Sequence, residues 1–225
     1  METREGLGFS VQEIDAVYRA IRERRDVRAG FLPHPVEEAT LLRLLDAAHC
    51  APSVGLMQPA RFIVIRDQTT RTAVHGIFER ANAAAAAIYD DERRQLYGSL
   101  KLQGLTEAPQ HLCVVCDERS QQGHGLGKHT MPAMPSYSVA CAVQNLWLAA
   151  RAEGIGVGWV SILDPQELKT LLHIPDGVEL VAYLAIGYVD RFAERPDLER
   201  DGWETRRELA SAMRSEFFDR PYESR

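Results

Sequence analysis

The sequence predicts an α+β protein, and three observations carry that expectation. Apolar residues recur at helical spacing in several stretches, opening with Val11, Ile14, Val17, Tyr18 and Ile21. Short runs rich in β-branched residues, such as Phe62-Ile-Val-Ile-Arg66 and Leu112-Cys-Val-Val-Cys116, read as buried strands. Proline and glycine punctuate the chain between the two kinds of stretch. The 225 residues are enough for one large domain with a substantial core, and 45% hydrophobic with 26% charged residues is ordinary for a globular chain.

The elements follow in order. Val11–Glu23 is an amphipathic helix, and Pro33 and Pro35 break the chain after it. Glu37–His49 is a second helix, with Leu41, Leu42, Leu44, Leu45 and Ala48 on its buried side. The run Ala51-Pro-Ser-Val-Gly-Leu-Met-Gln-Pro59 is a loop of small residues that lets a flat ligand approach the backbone, and the strand from Phe62 follows. Thr69 to about Leu105 is helical by composition, with an alanine run at its centre. After Ala108-Pro109 comes the strand Leu112–Cys116, then a glycine- and histidine-rich segment, Glu118 to Pro135, read as a mobile lid. Ser136–Glu153 is apolar around much of its circumference, as a central helix or one shared by two subunits would be. Gly154 ends it, Gly156–Ser161 is a strand, Gln166–Leu172 a short helix and Glu179–Gly187 a last strand. From Asp190 the composition turns charged and irregular, with Trp203, Phe217, Phe218 and Tyr222 to bury against a partner.

One cluster stands out, Arg24-Arg25-Asp26-Val27-Arg28, at the exit of the first helix. The chain carries a net charge of -6, which argues against a general nucleic-acid or membrane-surface role. The arginines are therefore a local positive site suited to a small multivalent anion, whose oxygens the guanidinium fork matches in pairs. An aspartate would repel that anion, so the functional reading gives the arginines a phosphorylated cofactor and Asp26 the chemistry on it. The alternative is a helix C-terminus whose cations suit the macrodipole, with Asp26 as their counter-ion.

Other signals are weaker. Cys113 and Cys116 sit three apart in a strand and face opposite ways, which suits structural thiols and not a shared metal. Gly123-His-Gly-Leu-Gly-Lys128 lacks the spacing and the Ser/Thr of a phosphate loop. The glycines of Gly154-Ile-Gly-Val-Gly158 follow a helix and enter a strand, the reverse of the dinucleotide-binding order. His124 and His129 have no suitably spaced metal-ligating partner and read as loop histidines. No stretch approaches a membrane span and the first residues lack a signal-peptide core, so a cytoplasmic location is expected.

Taken together, RRDVR at 24–28, APSVGLMQP at 51–59 and CAVQNLWLAARAEGIGVGWVS at 141–161 resemble the flavin-destroying branch of the nitroreductase superfamily, from about Val11 to about Arg206. The resemblance implies a nitroreductase-like mixed sheet with helices on both faces, in an intertwined homodimer with FMN at the interface. It implies a tail over 1–10, an FMN domain over 11–189, and an extension over 190–225 that wraps the partner. Arg24, Arg25 and Arg28 would hold the phosphate and ribityl chain, with Val27 beside them. Ser53, Val54, Gly55 and Gln58 would come from the other subunit, and Val160 and Ser161 would line the far edge of the ring. Lys101 and Arg206 are weaker candidates, for the reduced ring and the phosphate.

The implied reaction consumes its cofactor. Reduced FMN, delivered by a separate NAD(P)H-dependent flavin reductase, reacts with O2 and is broken into 5,6-dimethylbenzimidazole and erythrose 4-phosphate. Asp26 would be the general base and Ser161, with no base beside it, would orient the flavin. The segments Ala83–Gly104 and Glu118–Pro135 would keep the site dry. Ala60, Ala133 and Pro135 depart from the family's usual aromatic and acidic residues. Two rival readings are an FMN-dependent NAD(P)H nitro- or enone reductase on the same fold, and a non-catalytic flavin-binding dimer.

Overall fold

The computed structural model describes residues 8–222; most of the expected N-terminal tail lies outside them. Helix α1 spans Val11–Glu23. It starts at a reciprocal capping box, in which the Ser10 side chain accepts from the Glu13 N–H and the Glu13 carboxylate accepts from the Ser10 N–H. Helix α2 spans Glu38–His49 and buries Leu41, Leu44 and Ala48, while Leu42, expected on the same side, points off that stripe and is exposed. A single 3-10 turn, Val54–Leu56, precedes strand β1, Ala60–Ile65. The long helix expected from Thr69 to Leu105 is two: α3, Gln68–Ala86, and α4, Asp91–Ser99. Alanine propensity carries the first only to Ala86. Asp90 then starts the second by accepting from the Arg93 N–H at 3.0 Å.

Strand β2, Gln110–Asp117, leads through turns to the central helix α5, Met134–Ala152, with Pro135 in its first turn. Strand β3, Ile155–Trp159, helix α6, Pro165–Leu171, and strand β4, Val178–Tyr188, complete the core. The sheet has the order β1-β2-β4-β3, with every strand pair antiparallel. Parallel pairing, expected of a mixed sheet, occurs among the described residues as one isolated bridge, from Asp26 to Val157.

Helices cover both faces of the sheet, as expected. On one face Leu44, Val139, Val143 and Leu146 pack on Leu112, Val114, Leu184 and Ile186. On the other, Val74, Ile77, Phe78 and Leu168 meet Cys113, Val115 and Tyr183. Cys113 and Cys116 thus point to opposite cores, and burial pushes their thiols up to about 12 and about 11. His111 is fully buried against the Tyr183 hydroxyl, and burial followed by the nearby Arg71 charge lowers it to about 4. It is neutral at physiological pH.

Two features position the site. Segment 26–31 closes the β3 edge, where Gly158 is indispensable: a Cβ there would meet the Val27 carbonyl oxygen at 2.2 Å. Helix α1, in contrast, buries none of its residues, and its apolar stripe lies open, with Val11 65% and Tyr18 52% exposed. Beyond β4 the chain makes two four-residue helices, α7 (Asp197–Arg200) and α8 (Leu209–Ala212). Trp203 packs on Tyr89 and Tyr97 of its own chain, whereas Phe217, Phe218 and Tyr222 stay exposed. No helix among the described residues is long and apolar enough to cross a membrane.

Candidate functional site

The chain leaves α1 at Arg24, which turns extended, and the cluster runs alongside β3. The Val27 N–H donates to the Val157 carbonyl at 3.0 Å, so the cluster is fixed at its backbone. Asp26 is held at both oxygens: Oδ1 accepts from the Trp159 N–H at 2.9 Å, and Oδ2 from Arg28 Nε at 2.8 Å and Nη2 at 2.7 Å. Arg25 donates to the carbonyls of Arg22 and Arg24, at 2.8 Å each, and to that of Glu194. The Arg24 guanidinium lies 4.5 Å from the centre of the Trp147 ring. Its pKa is lowered, chiefly by burial, with Asp26 opposing and the Arg206 and Arg25 charges adding.

Arg25 and Arg28 thus spend part of their guanidinium capacity inside the chain, which the bare sequence did not suggest. Each keeps one buried donor unused. Arg25 Nε and Arg28 Nη1 are buried with no hydrogen-bond partner among the described residues. Buried polar groups without partners are uncommon and costly. The residues that carry them also line a cavity of about 180 Å³, together with Asp26, Asp190, Asp197 and Arg200 among others. A phosphate or ribityl group brings the acceptors these donors lack, so the residues present fit FMN.

The loop 51–59 is the second part. Ser138 of α5 accepts from the Val54 N–H at 3.1 Å, and Ser53 Oγ accepts from the Gln58 N–H at 3.1 Å. Gly55, Leu56 and Gln58 all have positive φ, a strained run for the last two. The segment read as a mobile lid is seated on it: Gln122 donates to the Leu56 carbonyl at 2.9 Å and to Gln58 Oε1 at 3.0 Å. A Cβ on Gly55 would strike the Leu126 carbonyl at 2.8 Å.

The protomer does not bring the two parts together. The loop is tied to α5 at Ser138 and the arginine cluster at Trp147, whose Nε1 donates to the Arg25 carbonyl at 3.1 Å. Nine residues of helix separate these anchors, about 13 Å at the helical rise. Among the remaining candidates, the Val160 side chain is buried in the second core, leaving only its main chain to meet a ligand. Ser161 is exposed just past β3, and Lys101 is exposed after α4. Arg206 is exposed yet close enough to Arg24 for their charges to repel.

Sequence reasoning missed Trp147, the Glu194 carbonyl and Arg200. A buried tryptophan needs an acceptor for its N–H, which was the available signal for Trp147. A main-chain carbonyl carries no signal at all.

Comparisons with known proteins place this arrangement. The Nitroreductase family profile matches residues 21–188. The chain is 48% identical over 204 residues to 5,6-dimethylbenzimidazole synthase of Rhodospirillum rubrum, covering 91% of this chain and 96% of that protein. It is 41% identical over 198 residues to the 5,6-dimethylbenzimidazole synthase of Rhodobacter capsulatus, covering 88% and 95%. Among solved structures, oxidized iodotyrosine deiodinase bound to FMN and 3-iodo-L-tyrosine superposes with a TM-score of 0.68 at 23% identity, covering 86% of this chain and 96% of that one.

Proposed function

This chain belongs to the nitroreductase family, in the branch of the 5,6-dimethylbenzimidazole synthases, and from that premise we propose that it fragments reduced FMN with O2 to 5,6-dimethylbenzimidazole and erythrose 4-phosphate. The observation that carries this reading is the 48% identity to the Rhodospirillum rubrum synthase over nearly the whole of both chains. Two structural facts support it: the buried, unpartnered donors of Arg25 and Arg28, and the carboxylate of Asp26 anchored beside them.

Bound reduced FMN supplies both the electrons for O2 and the carbon atoms of the product. Arg25 and Arg28 would hold its phosphate and ribityl oxygens, and Arg24, stacked on Trp147, would add charge. Asp26 takes protons released from the ribityl side. The Trp159 N–H and Arg28 fix its orientation, which is what a general base needs before proximity can help it. The exposed Ser161 hydroxyl orients the ring edge. Ser53, Val54, Gly55 and Gln58 reach the ring from the partner subunit of a homodimer. The separation of the two half-sites along α5 and the open stripe of α1 both support that assembly. A separate NAD(P)H-dependent flavin reductase supplies the reduced FMN.

The test is to give the purified protein FMN, a reductant and air and to follow 5,6-dimethylbenzimidazole by chromatography. Product accumulation at the expense of FMN is expected. Rapid NAD(P)H oxidation by the protein alone, with FMN intact, would establish the reductase instead. FMN bound and preserved without turnover would establish a flavin carrier.

A further inference from the structure

The strap that follows β4 walls the arginine cavity. Asp197 and Arg200 of α7 line it, and the Glu194 carbonyl accepts from Arg25. A helix of only four residues cannot hold this geometry by itself, so something must fix the strap at its far end.

That fixed point is Trp203. Trp203 N–H donates to the Leu198 carbonyl at 2.8 Å, making α7 and Trp203 one tight turn. The indole sits in a cage on the α3–α4 hairpin. Tyr89 meets it edge-on at 5.4 Å, Tyr97 at 6.1 Å, and the Arg93 guanidinium covers its face at 4.5 Å. The Tyr97 hydroxyl donates to Asn82 of α3 at 2.7 Å, which locks the cage to the main fold. Just beyond, Arg206 is delivered close to Arg24.

We infer that Trp203 is a positioning residue for flavin binding: its cage on α4 pins the strap so that Arg200 stays at the phosphate cavity. This rests on the FMN reading above and adds the part that holds the cavity's outer wall in place. It also couples α4, within the segment expected to cover the site, to the anion site through six residues of chain.

The experiment uses the full chain and FMN itself. Loss of the aromatic pairs and the cation–π contact in Trp203→Ala weakens FMN binding about tenfold, whereas Trp203→Phe, which keeps a ring in the cage, stays within about twofold of wild type. The salt dependence of FMN affinity falls in Trp203→Ala, because the Arg200 charge leaves the phosphate. Trypsin cuts after Arg200 faster in this variant, and FMN no longer slows the cut. Arg93→Ala, a milder change outside both cores, shifts affinity in the same direction. Unchanged FMN affinity and salt dependence in Trp203→Ala would overturn the inference, provided Arg25→Ala weakens binding in the same assay. A fall in affinity matched by melting of the entire fold would overturn it too, by assigning Trp203 a structural role only. An Arg25→Ala variant that binds FMN normally would instead refute the flavin reading beneath it.

Discussion

Asp26 is a carboxylate that the Trp159 N–H and Arg28 hold still at the wall of the arginine-lined cavity. On the proposed reading its negative charge opposes phosphate binding, so its role there is something other than affinity. Asp26→Asn keeps an oxygen for the Trp159 N–H and removes the ion pair to Arg28. FMN should then bind as well as before or more tightly, since one repelling charge is gone. Formation of 5,6-dimethylbenzimidazole should fall on the order of 100-fold or more, the usual cost of losing a general base. Titration by flavin fluorescence and product chromatography check the two halves separately. At this scale the sequence was informative wherever the residues are contiguous, because five adjacent side chains declare a charged site. It was silent on how the forks are used. Arg25 spends its Nη donors on the carbonyls of Arg22, Arg24 and Glu194, the last of them 169 residues away, and chemistry of that kind leaves no pattern in side-chain identity.

The element that fixes the site is β3, whose glycines look like a nucleotide motif and are not one. Gly156 and Gly158 are there because segment 26–31 crosses them at contact distance. A Cβ at Gly158 would meet the Val27 oxygen at 2.2 Å, and one at Gly156 would meet Val189 Cγ1 at 2.5 Å. Gly158→Ala should therefore push the arginine segment off the sheet edge, costing about 1–3 kcal/mol of stability and weakening FMN binding with it. Gly76→Ala is the control. It lies within α3, where the nearest atom to a Cβ is the flexible end of Arg80 at 3.5 Å, and it should be neutral or stabilising by about 0.5–1 kcal/mol. Thermal unfolding and FMN titration of the two variants check this. Helix α1 was legible because its apolar stripe is a local pattern, and the Ser10–Glu13 box that fixes its start is a local signal the stripe alone did not use. The α3–α4 break was misread, since alanines favour helix wherever they stand. Asp90, three residues before Arg93, was the stop-and-restart signal that composition hid.

Across the molecule, α5 is both the hub of the first core and the element that holds the loop 51–59 and the arginine cluster apart. Its outward residues Tyr137 and Cys141 are exposed, as is the stripe of α1. The order of the strands and their antiparallel pairing were not legible in the sequence. Alternating burial says that a strand exists and which face it shows, and pairing depends on contacts between distant segments.

The spacing along α5 also has a genetic signature. Arg25→Ala cripples one half-site and Gly55→Val, whose added carbons would strike Leu126, cripples the other, so each variant alone should be inert. Exchanged one to one, they should complement: half of the randomly paired dimers are mixed, and each of those owns a single healthy centre, restoring about a quarter of wild-type turnover. Two broken proteins would then make a working one.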